Sequence, residues 1–154
     1  MRDYQRSIHS HVRDQGDGRL RVASSLLDLE HSFHLEMIVR TDDWTIEDAE
    51  ATMGKAPLSP CLAGAEAVGA LVGLQVDRGV IRRIHERIGG PRGCAHMAEL
   101  VTDAVRLLGM IRLGGDTGYW RDAHDDRSEA EIIAGGREKL RNTCIVFADQ
   151  RDAT

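Results

Sequence analysis

Aromatic residues, prolines and cysteines are scarce in this chain, and no long apolar run occurs. Trp, Tyr and Phe together make up only 4% of the 154 residues, so the core must be built from aliphatic side chains. The hydrophobic fraction of 42% is still enough to bury the core of one domain. The longest apolar stretch, 63–76, contains Glu66 and Gln75 and is too short to span a bilayer.

An excess of positive charge is also missing. The formal net charge is -5 at pH 7, which argues against nucleic acid or an anionic membrane as the main partner. Arg82, Arg83 and Arg87 do form a small basic face on a predicted helix. Such a face is either solvated or steers a carboxylate or phosphate substrate.

Cysteines number three, which is too few and an odd count for a disulfide framework. The polar start of the chain contains no apolar stretch that would indicate a signal peptide. These observations predict a cytoplasmic protein whose thiols serve metal binding, nucleophilic chemistry or simple burial. A homodimer is compatible with these observations.

The first third of the chain has the alternating pattern of strands separated by turn signals such as Gln15-Gly16-Asp17-Gly18. Pro57 and Pro60 end this region. The pattern predicts four antiparallel strands, at residues 7–13, about 19–27, 35–40 and 44–53.

The remainder has helical periodicity. We expect a largely buried helix over 61–72, a short amphipathic helix over 78–88, and a third helix from Cys94 to about Ile111. An irregular connection over 112–127 leads to a helix from Ser128 to Leu140, with Ser128 and Glu131 forming a capping box, and to a closing strand over 143–147. The predicted class is α+β: a single domain, 1–154, with three to four helices on one face of an antiparallel sheet.

The most informative motif is Cys94-Ala95-His96, which follows a glycine-rich entry to the third helix. A helix N-terminus favours the thiolate form of a cysteine. Cys61 also opens an apolar helical run, and His34 stands at the start of the third strand. If these ends meet at one edge of the sheet, they form a mixed His/Cys set suited to zinc, ferrous iron, copper or an iron–sulfur cluster. The alternative is that both cysteines are small buried hydrophobic residues.

Four further residues belong to this hypothesis. His31 rivals His34 as a ligand, and Cys144 is a further candidate with burial in a strand as its alternative. Glu36 and Glu99 are candidates for a general base, with support of a ligand or surface exposure as the alternatives.

The segments Phe33–Arg40, Thr45–Ala51 and Pro60-Cys61 resemble the core of the NifU/IscU-type iron–sulfur scaffold, the SufE/NifU fold. The resemblance implies cluster chemistry, but two features depart from that family. Histidines stand where its first cysteine ligand is expected, and Gly89–Gly93 replaces its chaperone-binding segment. A mononuclear zinc or ferrous ion therefore fits this chain better than a cluster.

A second resemblance is to an uncharacterised bacterial family, a domain of unknown function with a Gly-Cys-x-His motif. It covers most of the chain and implies no activity. It rests on these residues: Asp28, His34-x-x-Met37, Pro57 to Cys61, Leu71-Val72-Gly73-Leu74, Gly93-Cys94-x-His96, Glu99-Leu100 and Cys144.

These observations favour a small metal-dependent enzyme acting on a small-molecule metabolite. Its iron or zinc ion would be held by His34, Cys61, Cys94 and His96. Two alternatives remain. One is an iron–sulfur scaffold or carrier, and the other is a sulfur-relay protein that uses the Cys94 thiolate.

Overall fold

A four-stranded antiparallel meander forms the N-terminal part of the chain. A computed structural model describes residues 3–117 and 126–149. The strands lie in the order β1-β2-β3-β4 and have these bounds: β1 (Arg6–Asp14), β2 (Arg19–Asp28), β3 (Ser32–Arg40) and β4 (Ile46–Lys55). The predicted α+β class and all four predicted strands are confirmed, because alternation of apolar and polar residues specifies a sheet with one covered face.

Helices follow the sheet. They are α1 (Ala63–Glu66), α2 (Val80–Ile88), α3 (Ala95–Thr117) and α4 (Glu129–Gly136). Short 3₁₀ turns occupy Ser59–Leu62, Ala67–Leu71, Gly90–Arg92 and Ile145–Phe147. None of the helices in the described part of the chain is long and apolar enough to cross a membrane.

The two faces of the sheet differ sharply in burial. Val22, Leu35 and Met37 lie on the covered face and are almost fully buried. Helix α3 packs on this face, since the Ser10 hydroxyl of β1 donates to Asp103 of α3 at 2.6 Å and shares a hydrogen bond with Ser24. Residues of the opposite parity form what we call the open face, which is exposed or partly exposed throughout.

The predicted buried helix over 61–72 is wrong. The segment is a succession of short turns around α1, and only Gly64, Val68 and Leu71 are buried in it. Its alanines favour a helix, but Gly64 and Gly69 oppose a regular one, since each glycine costs about 1 kcal/mol relative to alanine in a helix interior. The turns pack along β4, so they cover one edge of the sheet.

The chain divides after Gly109 into two compact units, 1–109 and 110–154. Helix α3 continues to Thr117, into the segment 112–127 for which an irregular connection was predicted; residues 118–125 of that segment lie outside the described part. Ser128 and Glu131 form the predicted capping box of α4. The predicted strand over 143–147 is wrong, because Ile145–Phe147 form a 3₁₀ turn that places Phe147 against Gly136.

The basic face of α2 is occupied by contacts within the protein. Arg87 donates to the carbonyl of Ala70 at 2.7 Å, and Arg83 bonds to the carbonyl of Gln75 and to Asp77. Arg82 pairs with a glutamate one turn along the helix. Arg83 and Arg87 therefore tie α2 to the preceding segment, whereas Arg82 forms an exposed ion pair within the helix.

Candidate functional site

Asp28, the last residue of β2, organises the tight turn into β3. Its Oδ1 accepts hydrogen bonds from the backbone N–H of Glu30 at 2.9 Å and of His31 at 2.8 Å. The backbone of Asp28 also donates to the carbonyl of His31 at 3.0 Å. This turn, typical of aspartate, brings the imidazole of His31 back to the same carboxylate, with Nδ1 at 2.9 Å from Oδ1.

Arg6 clamps the other oxygen of Asp28. The two residues are paired in register between β1 and β2, and Nε and Nη2 of Arg6 lie 2.9 and 2.7 Å from Oδ2 of Asp28. The third nitrogen, Nη1, bonds to Glu99 of α3 at 2.8 Å. The guanidinium thus joins two strands and a helix, and all three of its nitrogens are engaged.

The hydrogen bonds keep Asp28 ionised. Burial would raise its pKa, but the backbone N–H of Glu30 and the side chains of Arg6 and His31 outweigh burial and hold the pKa well below the ordinary 3.8. An ionised carboxylate can only accept a hydrogen bond from Nδ1 of His31. The arrangement therefore favours the imidazole tautomer that carries its proton on Nδ1 and a lone pair on Nε2.

His96, on the first turn of α3, supplies a second imidazole. Its ring packs on that of His31 with centroids 4.2 Å apart, and Phe33 meets His31 edge-on at 5.1 Å. Burial lowers the pKa of His96 below the ordinary 6.5; charge on His31 and Arg6 lowers it further, while Glu99 and Asp28 act in the opposite direction. A neutral His96 therefore stands beside an imidazole that is stabilised by a carboxylate.

An open cavity of about 420 Å³ adjoins this pair. His31 lines it, although its side chain is only 10% exposed, together with Tyr4, Arg6, Leu29 and Glu30. Within the described residues, Nε2 of His31 has no hydrogen-bond partner. A small molecule in the cavity would therefore meet an oriented imidazole.

The structure does not bring His34 to this site. His34 lies on the open face of β3, its side chain is 51% exposed, and its Nε2 is 3.4 Å from Glu36. Glu36 shares that face and bonds to Arg21 at 2.5 Å, and the bonds from Arg21 and then His34 lower its carboxyl pKa. His34 and Glu36 therefore do not join the predicted site. Successive side chains of a strand point to opposite faces of the sheet, and these two lie on the face away from α3.

The three cysteines are free thiols, of which Cys61 and Cys94 are partly buried and Cys144 is exposed. The carbonyl of Cys94 accepts the first hydrogen bond of α3, from Ala98. A Cβ on Gly64, three residues after Cys61, would lie 2.7 Å from the Cβ of Cys94. The glycine therefore lets the turn that contains Cys61 approach the start of α3.

The four predicted metal ligands, His34, Cys61, Cys94 and His96, form no common cluster in the described part of the chain. Among residues 3–117 and 126–149, no group of three or more His, Cys, Asp or Glu side chains has an arrangement that would hold one. Glu99, predicted as a general base, is occupied by its ion pair with Arg6.

Sequence reasoning missed Arg6 and the pairing of Asp28 with His31. The spacing Asp28-x-x-His31 at a strand end was the available signal, since aspartate at such a turn accepts hydrogen bonds from the residues that follow. Arg6 carried no local signal, because only the register of β1 with β2 places it opposite Asp28.

Comparison with known proteins gives one match. A family model described as a protein of unknown function (DUF2889) matches residues 2–108, which contain the whole Asp28–His31–His96 cluster. No curated protein and no solved structure matches this chain. The scaffold resemblance thus gains no support from these comparisons.

Proposed function

The chain belongs to the DUF2889 family of proteins of unknown function, and from its site we propose that it is a small-molecule enzyme acting by general acid–base catalysis. The observation that carries the proposal is the 2.9 Å contact between Asp28 and Nδ1 of His31, beside a cavity that His31 lines. A carboxylate behind one ring nitrogen orients the other for proton transfer and stabilises the imidazolium that results.

His31 is the proton carrier in this proposal. Its Nε2 accepts a proton from a substrate in the cavity and returns it in a later step, while Asp28 holds the ring and balances the transient positive charge. Arg6 and Glu99 are positioning residues, because Arg6 holds Asp28 and Glu99 in turn holds Arg6. His96, kept neutral, adds a second site for a proton next to the first.

The proposal is tested by measuring proton exchange and chemical change in a mixture of candidate small molecules. The purified chain is incubated in D₂O with a mixture of small metabolites, and mass spectrometry follows deuterium uptake and consumption of each compound. We expect at least one compound to change with the wild type, to stay unchanged with His31→Gln, and to change normally with His9→Gln on the open face. A mixture that stays unchanged with the wild type, or activity that survives His31→Gln, contradicts the proposal.

A metal-dependent enzyme that uses iron or zinc is the second candidate. The observation favouring it is the contact between the two imidazoles, since a histidine ligand characteristically donates its other ring nitrogen to a carboxylate, as His31 does to Asp28. His31 then replaces His34 in the ligand set. Anaerobic purification and elemental analysis should find one ion per chain that His31→Gln removes and His34→Gln retains; protein without stoichiometric metal excludes this candidate.

The thiol functions stay proposals with their own readouts. Cys94 immediately precedes the first residue of α3, which is the position that the sulfur-relay hypothesis assigns to the reactive thiol. Treatment with a cysteine desulfurase and cysteine should then add one sulfur atom to Cys94 and none to Cys94→Ser. An iron–sulfur scaffold should instead turn brown after reconstitution with iron and sulfide, and a colourless product rules that role out.

A further inference from the structure

We infer that the cavity beside His31 takes an organic cation, such as the ammonium group of an amine. This inference rests on the proposed function and names the substrate class of the same site. Its basis is the distribution of charge and aromatic surface around the cavity.

The cations at and beside the cavity are engaged by contacts within the protein. The guanidinium of Arg6 is bonded through all three nitrogens to Asp28 and Glu99, so one cation faces two carboxylates. Lys55, the other nearby cation, donates its ammonium to the carbonyl of Leu29. An anionic substrate would therefore find no free cation among the described residues that line this cavity.

The negative charge at the cavity, by contrast, includes one carboxylate that has no partner among the described residues, that of Glu30, which lines the cavity. Asp3 adds a carboxylate to an adjoining depression that shares Gln5, Asp28 and Leu29 with the cavity. A cation placed here is attracted by Glu30 and gains a counter-ion that has no competing partner.

Tyr4 supplies the second element of cation recognition. It lines the same cavity and is 71% exposed, although aromatic residues are only 4% of the chain. An aromatic face beside a carboxylate is the combination that binds ammonium groups. The nearly buried imidazole of His31, with Nε2 unpartnered among the described residues, completes the wall next to which the substrate would react.

The test compares three probes of equal length: n-butylammonium, n-butanol and butyrate. Each is titrated into the labelled full chain while backbone amide signals are followed by NMR. We expect butylammonium to shift the signals of Leu29, Glu30 and His31 in a saturable way, and butyrate to leave them unchanged. Glu30→Gln should weaken the ammonium titration about threefold, as should Tyr4→Leu.

Glu50→Gln is the matched control, because Glu50 is an exposed glutamate on the open face of β4. It should leave the titration unchanged. Butyrate binding at these residues, equal binding of butanol and butylammonium, or equal effects of Glu30→Gln and Glu50→Gln would overturn the inference. The acid–base proposal is tested separately by the ring tautomer of His31, so loss of ammonium binding with that tautomer intact rejects only the substrate class.

Discussion

Both faces of the sheet carry histidines and carboxylates, but those on the covered face are held in place and those on the open face are exposed or partly exposed. On the covered side, His31 is locked by Asp28 and packed on His96, and its side chain is only 10% exposed. On the open side, His34 is 51% exposed, and within the described residues its ring has one polar partner, Glu36 at 3.4 Å. These histidines are three positions apart in the chain, and the helix that covers one face makes the difference between them.

The orientation of the His31 ring depends on residues from several secondary-structure elements. Strand β1 contributes Arg6, the end of β2 contributes Asp28, the following turn contributes His31, and α3 contributes both His96 and Glu99. The open face has comparable groups, including a row of His9, Ser25, His34 and Thr52 in register. Nothing in the described residues packs over that row to hold its side chains.

The largest expected effect is on folding stability. Leu35 is fully buried on the covered face, and Leu35→Ala should lower the free energy of unfolding by about 3 kcal/mol. Ile38→Ala, on the open face of the same strand, should cost no more than about 1 kcal/mol. Urea denaturation monitored by circular dichroism measures both, and equal losses would contradict the assignment of the two faces.

Asp28→Asn should lower the free energy of unfolding by about 2 kcal/mol, because it disturbs the bonds to Arg6 and His31. Asp48→Asn on the open face is the control and should stay within about 0.5 kcal/mol of the wild type. The pKa of folded Asp28 is depressed, so its stabilisation is present at neutral pH and is lost as the pH falls below about 4. The stabilities of the wild type and Asp28→Asn should therefore converge in acid. A stability difference between them that persists unchanged there contradicts the ion pair.

His96 should make a smaller contribution that depends on pH. Its pKa in the folded state is lowered from 6.5, so the unfolded chain takes up the proton first and stability falls as the pH drops below that value. His96→Gln should flatten this part of the curve, whereas His11→Gln, an exposed change on β1, should leave it as in the wild type. Stability measured by urea denaturation between about pH 8 and pH 5 tests this; identical curves for both variants contradict the burial of His96.

The smallest expected effect concerns α2. Arg87→Ala removes the hydrogen bond to Ala70 and should cost about 1 kcal/mol. Arg82→Ala removes only the exposed pair with Glu86 and should cost about 0.3 kcal/mol. Thermal unfolding measures both losses. A larger loss for Arg82→Ala than for Arg87→Ala would contradict this assignment and indicate that the basic face of α2 is solvated.

The sheet could be predicted because alternation and turn residues are local signals. The turns around α1 could not, since apolar Gly/Ala sequence fits a buried helix and a series of tight turns equally well. For the site, the sequence identified His96 and named His31 as a rival of His34. It could not choose between the two histidines, because that choice depends on the turn Asp28–His31 and on which face α3 covers.

The state of the His31 ring tests the central claim most directly. Long-range ¹H–¹⁵N NMR of the histidine side chains reports which ring nitrogen carries the proton. The Asp28 contact predicts that neutral His31 is protonated on Nδ1, and that Asp28→Asn weakens this preference. His31 protonated on Nε2, or a tautomer mixture like that of exposed His9 and His34, would contradict the account.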